Sequence, residues 1–231
     1  MATAIFPAAG QSRRMQKLLT SVTNKNFLEL NGFSILIRTL QTFSKSDNID
    51  YLIIAAAADE IETINSMLND VSDLKPFIVV KGGSERQYSI ANALREVPTD
   101  CEIILVHDAA RPLIDVKTID NVVDAAKLYG GAIAAVPEKN TIKVIDKDNF
   151  VINTPQRSQL VSVQTPQGFQ RDILIKAYKQ AEQDNFLGTD DSSLVERLGY
   201  KVKIVKSDYC NIKITTPEDI LIAEAFLRSN D

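Results

Sequence analysis

One histidine, His107, and two cysteines far apart in the chain, Cys101 and Cys210, are too few for the usual zinc or iron–sulfur ligand sets. Any metal would have to be a hard cation held by oxygen, and the two thiols read as free, which fits a cytoplasmic protein. The chain also lacks a concentrated basic tract. With 26 basic against 30 acidic residues and a formal charge of −4, it has no electrostatic footprint for duplex nucleic acid, although a local cluster could still bind phosphate. Long apolar runs are missing, so no membrane span is expected. Met1 to Pro7 leads straight into a strand pattern, without the basic region and long apolar segment of a leader. Internal repeats and low-complexity linkers are absent too. The 231 residues, 45% of them apolar, are therefore read as one domain, 1–231, with a sizeable buried core.

Short apolar, partly β-branched runs recur at Thr3–Pro7, Tyr51–Ala57, Phe77–Val80, Ile103–Val106, Ala132–Val136 and Val202–Val205, each the length of a strand. Between the early ones, Ser34–Phe43, Glu60–Leu68, Ser84–Arg95 and Val116–Leu128 carry apolar residues at helical spacing. Alternating strands and helices predict a doubly wound, mostly parallel α/β sheet of the Rossmann-like kind. After Val136 the rhythm changes. Thr141–Ile145 and Phe150–Asn153, joined by the polar turn Asp146-Lys147-Asp148-Asn149, predict a β-hairpin, small and polar, that has to pack on the parent domain or on another subunit. Helices at Arg171–Gln183, at Asp191–Leu198 and after Thr216-Pro217-Glu218-Asp219 complete the pattern, with Thr216 as the expected cap of the last.

Ligands of open α/β sheets bind beyond the carboxyl ends of the strands, and three such ends carry suitable residues. The first strand runs into Pro7-Ala8-Ala9-Gly10-Gln11-Ser12-Arg13-Arg14-Met15, with Lys25 further on. Its single glycine excludes a dinucleotide fingerprint, and no Gly-Lys-Ser/Thr makes it a Walker loop. It reads either as a solvated basic loop or as a backbone cradle whose Arg14 and Lys25 neutralise phosphates. Lys81-Gly82-Gly83-Ser84-Glu85-Arg86-Gln87-Tyr88-Ser89 reads either as a turn with Ser84 capping a helix or as a close approach to a flat nucleobase. Asp108, just past the fourth strand, is a candidate magnesium ligand or a partner of Arg111, and His107 a general base or a packed core residue. Later polar clusters that include Thr141, Arg157, Thr165, Thr189 and Lys213 suit a second phosphate.

Taken in order, Pro7-Ala8-Ala9-Gly10 with Arg13-Arg14-Met15, Gly82-Gly83 with Arg86 and Ser89, Val106-His107-Asp108-Ala109-Ala110-Arg111-Pro112, Thr165-Pro166-Gln167 with Phe169, Thr189-Asp190-Asp191 with Ser193 and Val195-Glu196, and Asn211 to Asp219 span nearly the whole chain. This set resembles the 2-C-methyl-D-erythritol 4-phosphate cytidylyltransferase family. The resemblance implies a nucleotidyltransferase fold and a magnesium-dependent homodimer, with the hairpin protruding as an arm at about residues 138–160 over the partner's site. It also implies the joining of CTP and 2-C-methyl-D-erythritol 4-phosphate into 4-diphosphocytidyl-2-C-methyl-D-erythritol and pyrophosphate, in non-mevalonate isoprenoid biosynthesis. Carried over by position, Arg14, Lys25 and Lys213 match the catalytic cations, Asp108 the metal ligand, and Ala8, Ala9, Gly10, Gly83 and Ser89 the nucleotide pocket. Thr141, Arg157, Thr165 and Thr189 match the sugar-phosphate site, with Thr141 and Arg157 supplied by the partner's arm. The chain departs from the family pattern at Ser12, which stands at a glycine, at Asn24 and Asn26 around Lys25, and at Asn140 and Cys210, which stand at aspartates. A ribitol 5-phosphate cytidylyltransferase shares much of the pattern. A catalytically inactive nucleotide-binding regulatory module would bind CTP without turnover, but Arg14, Lys25, Asp108 and Lys213 are all present. A nicotinamide-dependent oxidoreductase is disfavoured by the single-glycine loop.

Overall fold

Along each central strand, successive residues point to opposite faces, and in this chain both faces are apolar. The protein is described by a computed structural model that covers residues 1–10, 15 and 24–228. Its strands are β1 (Ala2–Pro7), β2 (Glu29–Leu30), β3 (Phe33–Ser34), β4 (Tyr51–Ala56), β5 (Phe77–Lys81), β6 (Ile103–Val106), β7 (Gly131–Pro137), β8 (Val144–Ile145), β9 (Val151–Asn153), β10 (Val161–Gln170) and β11 (Lys203–Lys206). Its helices are α1 (Ile35–Ser44), α2 (Ile61–Asn69), α3 (Arg86–Leu94), α4 (Val116–Tyr129), α5 (Arg171–Gln183), α6 (Asp191–Arg197) and α7 (Pro217–Arg228). Among these residues no helix is long and apolar enough to cross a membrane.

One seven-stranded sheet runs in the order β11-β7-β10-β6-β1-β4-β5. Ala4, Phe6, Leu52, Ile54, Leu105 and Ala134 face the layer of α1, α2 and α4, while the intervening Ile5, Ile53, Ile104 and Ile133 face α3, α5 and α6. The pleat thus divides one continuous sheet between two cores. A third, smaller core joins Met15, Leu30 and Ile35 to Ile214 and Ala223 of the carboxyl-terminal segment. Helix ends follow local chemistry. The Ser34 side chain accepts from Ile37 N and starts α1, Asp115 accepts from Thr118 N and starts α4, and Gly130, at φ +87°, ends α4 in the left-handed region.

Most predicted elements lie within a residue or two of the observed ones, but β10 was not anticipated. It is ten residues long, pairs antiparallel with both β6 and β7, and shifts register between Val163 and Gln167. The sheet is therefore mostly parallel with one reversed central strand. The small β2–β3 pair is also additional to the predicted elements. Ser84 does not cap α3, whose cap position, Glu85, makes no side-chain cap bond. At α7 the turn is closed by Asp219, whose Oδ2 accepts from Thr215 N and Thr216 N, both at 2.8 Å. The predicted hairpin is present but its paired parts are short, β8 and β9, and it is not simply polar: Ile145, Phe150, Val151 and Ile152 are exposed, Phe150 by 72%. Arg14 and Ser12 lie outside the described residues.

His107 belongs to the core. Its ring is fully buried, with its centroid 4.8 Å from that of Phe43 and 6.2 Å from that of Phe6. Nε2 lies 3.2 Å from the Arg111 carbonyl, which can only accept, so Nε2 carries the proton. Nδ1 then accepts from the Thr165 hydroxyl at 3.1 Å, and the same hydroxyl oxygen accepts from Asp108 N at 3.0 Å. Burial pushes the His107 pKa from 6.5 down to about 3. Below pH 6.5 the unfolded chain therefore binds a proton that the folded chain refuses, and stability falls as pH drops towards 3, by about 1.4 kcal/mol per unit at most.

Two stability predictions follow from this packing. Urea denaturation at pH 6 and pH 5 should show the wild-type unfolding free energy dropping by about 1 kcal/mol more than that of His107→Gln, and equal drops would mean that His107 titrates normally. Phe169→Ala, at a fully buried position of β10, should cost about 3–5 kcal/mol in the same measurement, whereas a loss below about 1 kcal/mol would place β10 outside the core.

Candidate active site

The carboxyl ends of β1, β4, β5 and β6 all open on one edge of the sheet, because these strands are parallel. β10 runs the other way, so it is its amino-terminal half, with Gln164 and Thr165, that reaches this edge. A cavity of about 510 Å³ lies there, lined by the loop after β1, the glycine turn after β5, the segment after β6, Lys25 and the 213–215 segment. Of the residues singled out in the sequence, Ala9, Gly10, Lys25, Gly83, Ser89, Asp108 and Lys213 share this lining.

The walls are built from tight backbone contacts. Ala8 is buried beneath the lining, its N–H bonded to Ala55 O, while its carbonyl accepts from Asn24 Nδ2 at 2.9 Å and from Asn26 Nδ2 at 3.2 Å. Asn24 also donates to Glu60 Oε2 at 2.9 Å. The two asparagines that depart from the family pattern thus staple the Lys25 turn to the strand end, and Lys25 Nζ donates to Ile214 O at 2.5 Å. Gly82 has to be glycine, since a Cβ there would lie 2.6 Å from Ala9 Cβ. Gly83 N donates to Ser89 Oγ at 3.0 Å, and that hydroxyl donates to Glu85 O at 3.1 Å, so both residues are engaged in holding the turn.

Asp108 is the centre of charge. Its Oδ1 meets Arg86 Nε at 3.1 Å, and its Oδ2 meets Lys213 Nζ at 2.9 Å and Arg111 Nε at 3.5 Å. Burial alone would raise its pKa, but Arg86, Lys213 and Arg111 together hold it far below the usual carboxylate range. Asp108 therefore stays ionised at every physiological pH. Of the two sequence readings of this residue, the pairing with Arg111 is present, and the carboxylate also stands on the cavity wall. Lys25, Arg86, Arg111 and Lys213 stand against the buried carboxylates Asp108 and Asp191 and the exposed Glu85 of the cavity lining, which leaves a net positive charge suited to an anion.

Arg86 and Asp191 are functional candidates that residue-by-residue reading passed over. Arg86 lines the cavity, and its Nη2 donates to Asp191 Oδ2 at 2.8 Å. The only signal in the sequence was their presence in the motifs that carry the family resemblance, since their pairing spans 105 residues. His107, neutral and enclosed, offers the cavity no base. Thr165 lies under Asp108, with its hydroxyl proton given to His107. Thr141, Arg157 and Thr189 are exposed and do not line this cavity; Arg157 Nη1 donates to Lys139 O at 3.2 Å.

A parallel-stranded edge with a cation-rich cavity is an arrangement for binding and orienting phosphates, and comparison with known proteins agrees. Residues 2–229 match the family described as 2-C-methyl-D-erythritol 4-phosphate cytidylyltransferase. A protein of that name from Caldanaerobacter subterraneus subsp. tengcongensis is 46% identical over 227 residues, covering 98% of each chain. Another from Alkaliphilus oremlandii is 40% identical over 228 residues, covering 98% of this chain and 95% of its own. Among solved structures, 4-diphosphocytidyl-2C-methyl-D-erythritol synthase from Anaerococcus prevotii superposes with a TM-score of 0.88 at 32% identity, covering 99% of this chain and 96% of its own. The chain belongs to the 2-C-methyl-D-erythritol 4-phosphate cytidylyltransferase family.

Proposed function

We propose that the cavity binds CTP and that the chain joins it to 2-C-methyl-D-erythritol 4-phosphate, releasing pyrophosphate and 4-diphosphocytidyl-2-C-methyl-D-erythritol, in the cytoplasm. Family membership makes the chain a nucleotidyltransferase. The observation that supports the site assignment is the ring of Arg86, Arg111 and Lys213 around Asp108, facing Lys25 across one cavity. The acceptor phosphate is already an anion, so its attack on the α-phosphorus needs no side-chain nucleophile and no strong base. What it needs is alignment, and cations where charge builds on the α-phosphate and the leaving pyrophosphate. Lys25 and Lys213 supply that charge, together with Arg14 from the loop outside the described residues. Gly10 and the backbone of Ala9 leave room for the base and the phosphates; Gly83, where a Cβ would clash with Tyr88 Cβ, lets the pocket wall close on the start of α3, and Ala8 and Ser89 hold those loops in place.

Magnesium fits this donor set. Among the described residues no three His, Cys, Asp or Glu side chains cluster as a cage, but a lone carboxylate is enough for a cation that arrives with phosphate oxygens and water. Asp108 is ionised, has one side-chain oxygen direction beyond those engaged by Arg86, Lys213 and Arg111, and stands on the cavity wall. It is the residue that would hold the metal, which supplies charge neutralisation on the phosphates.

The acceptor side is completed by a second copy of the chain. The hairpin arm exposes Ile145, Phe150, Val151 and Ile152, an apolar surface that a two-stranded ribbon cannot bury by itself. Thr141 and Arg157 sit on this arm, Thr189 stands at the start of α6, and Thr165 supports Asp108 from below. In a homodimer built through the arms, Thr141 and Arg157 serve the partner's cavity.

Release of pyrophosphate from CTP should occur with 2-C-methyl-D-erythritol 4-phosphate and not with ribitol 5-phosphate; turnover with ribitol 5-phosphate alone, or with neither acceptor, would reject the reading. Asp108→Asn should lower kcat by at least about 100-fold at ordinary magnesium concentration, and near-normal turnover would remove Asp108 from the metal site. Mixing Lys25→Ala and Arg157→Ala subunits, each nearly inactive alone, should restore about a quarter of wild-type turnover once exchange is complete, because half the dimers then carry one intact site. No recovery despite proven exchange would mean that Arg157 serves its own subunit.

A further inference from the structure

Asp191 is the first residue of α6 and is fully buried. Its Oδ2 accepts from Arg86 Nη2 at 2.8 Å and its Oδ1 from the Tyr178 hydroxyl at 2.5 Å. Burial, reinforced by the charge of Asp191, pushes the Tyr178 pKa well up, so the phenol remains a donor. A buried carboxylate has to be paired, and any cation would satisfy that need. The cation used here is not an internal one. Arg86 stands on the cavity wall with 29% of its side chain exposed, and its Nε is bound at the same time to Asp108 Oδ1 at 3.1 Å. The planar guanidinium therefore sets the orientation of one carboxylate relative to the other.

Asp191 is itself anchored on both sides in sequence. Asp190 Oδ2 accepts from Gln167 Nε2 at 2.8 Å, and Ser192 N donates to Gln167 Oε1 at 2.9 Å. Gln167 belongs to β10, the strand whose Thr165 accepts from Asp108 N. Asp108 is thus fixed by two routes from one frame, through its backbone and through its carboxylate. Lys213 is placed differently. Its side chain is 39% exposed, and of the two buried carboxylates it meets only Asp108. An incoming polyphosphate offers every cation of the cavity a new partner, and the cation held by one carboxylate exchanges more readily than the one held by two.

We infer that Asp191 is a positioning residue: it keeps Arg86 on Asp108, so that Lys213 rather than Arg86 turns to the polyphosphate. The inference rests on the proposed reaction, and it assigns Arg86 to the protein's own frame. Without the second carboxylate, Arg86 is released towards the nucleotide. Binding then gains a contact while Asp108 loses its orientation.

The test is Asp191→Asn, which keeps the shape of the side chain and its capacity to pair with Tyr178. The expected result is a fall in kcat of about 10- to 100-fold, with CTP bound as tightly as by the wild type or more tightly in calorimetry. Structural damage would move both in the same bad direction. Arg86→Lys, which keeps the charge but cannot span two carboxylates, should lower kcat to a similar extent, and it carries the test if Asp191→Asn does not fold. A kcat within twofold of wild type in the folded variants, or a loss of kcat matched by weaker CTP binding, overturns the inference. Wild-type turnover is measured first, so an inactive wild type rejects the reaction alone. In that case the Arg86 Nε–H resonance decides: its loss through fast solvent exchange in Asp191→Asn supports the positioning role, and its persistence overturns it.

Discussion

The Asp108 carboxylate sits where the sheet ends, almost out of water, and meets three cations. A buried charge of this kind is tolerated only when its partners are well placed, so the surrounding chain is organised to place them. Arg86 comes from the start of α3, Arg111 from the turn after β6, and Lys213 from the segment before α7. Arg111 is tied in turn to Asn211 O at 2.8 Å, and Asn211 to Gln164 and to the Thr165 carbonyl, each at 2.9 Å. The carboxylate thereby couples the glycine turn, β6, β10 and the carboxyl-terminal segment. Its three partners still leave a positive surplus for phosphate, since Lys25 stands across the cavity in the same lining.

The reversed strand β10 is what makes that coupling geometrically available. In a fully parallel sheet the neighbour of β6 would present its carboxyl end at this edge. Antiparallel pairing instead brings in the amino-terminal half of β10, with Gln164 and Thr165 near the shift in register, and lets Gln167 hold the start of α6. Thr165 then joins two environments that have little else in common. Its hydroxyl proton satisfies the neutral ring of His107 in the Phe6 and Phe43 core, while its oxygen receives the N–H of Asp108 at the cavity.

How much of this was legible in the sequence follows from the range of the forces involved. The parallel strands and their helices read well, because alternating and helical apolar spacing is a local signal and the core uses it directly. β10 did not. Val161-Ser162-Val163-Gln164-Thr165-Pro166-Gln167-Gly168-Phe169-Gln170 carries a proline and a glycine and polar residues that face buried partners, so its alternation is hidden. Helical spacing marked Ser34 as the start of a helix, whose cap it proves to be, whereas Ser84 does not cap α3; at α7 the expected start after Thr216 is present, with Asp219 reaching back to Thr216 N. Asp108, Lys25 and Lys213 were legible as charged residues at strand ends and in motifs. The pairing of Arg86 with Asp191 was not, because no pattern in the linear chain tells which distant carboxylate a cation will meet.

The hairpin arm shows the limit from the other direction. Its turn residues announced it, and Asp146 Oδ1 duly accepts from Asp148 N and Phe150 N, each at 2.9 Å. Its short runs Thr141–Ile145 and Phe150–Asn153 were legible as strands, but not the exposure of their apolar side chains, which the structure leaves in solvent. Within one subunit such a ribbon is a net cost, since it orders a segment without burying its side chains. Under the proposed reading a second copy offsets that cost. Apolar burial between the arms then stabilises the dimer, and the same contact carries Thr141 and Arg157 towards the partner's cavity. Acceptor recognition would thus depend on assembly, while the cavity around Asp108, the proposed nucleotide site, is formed within each chain.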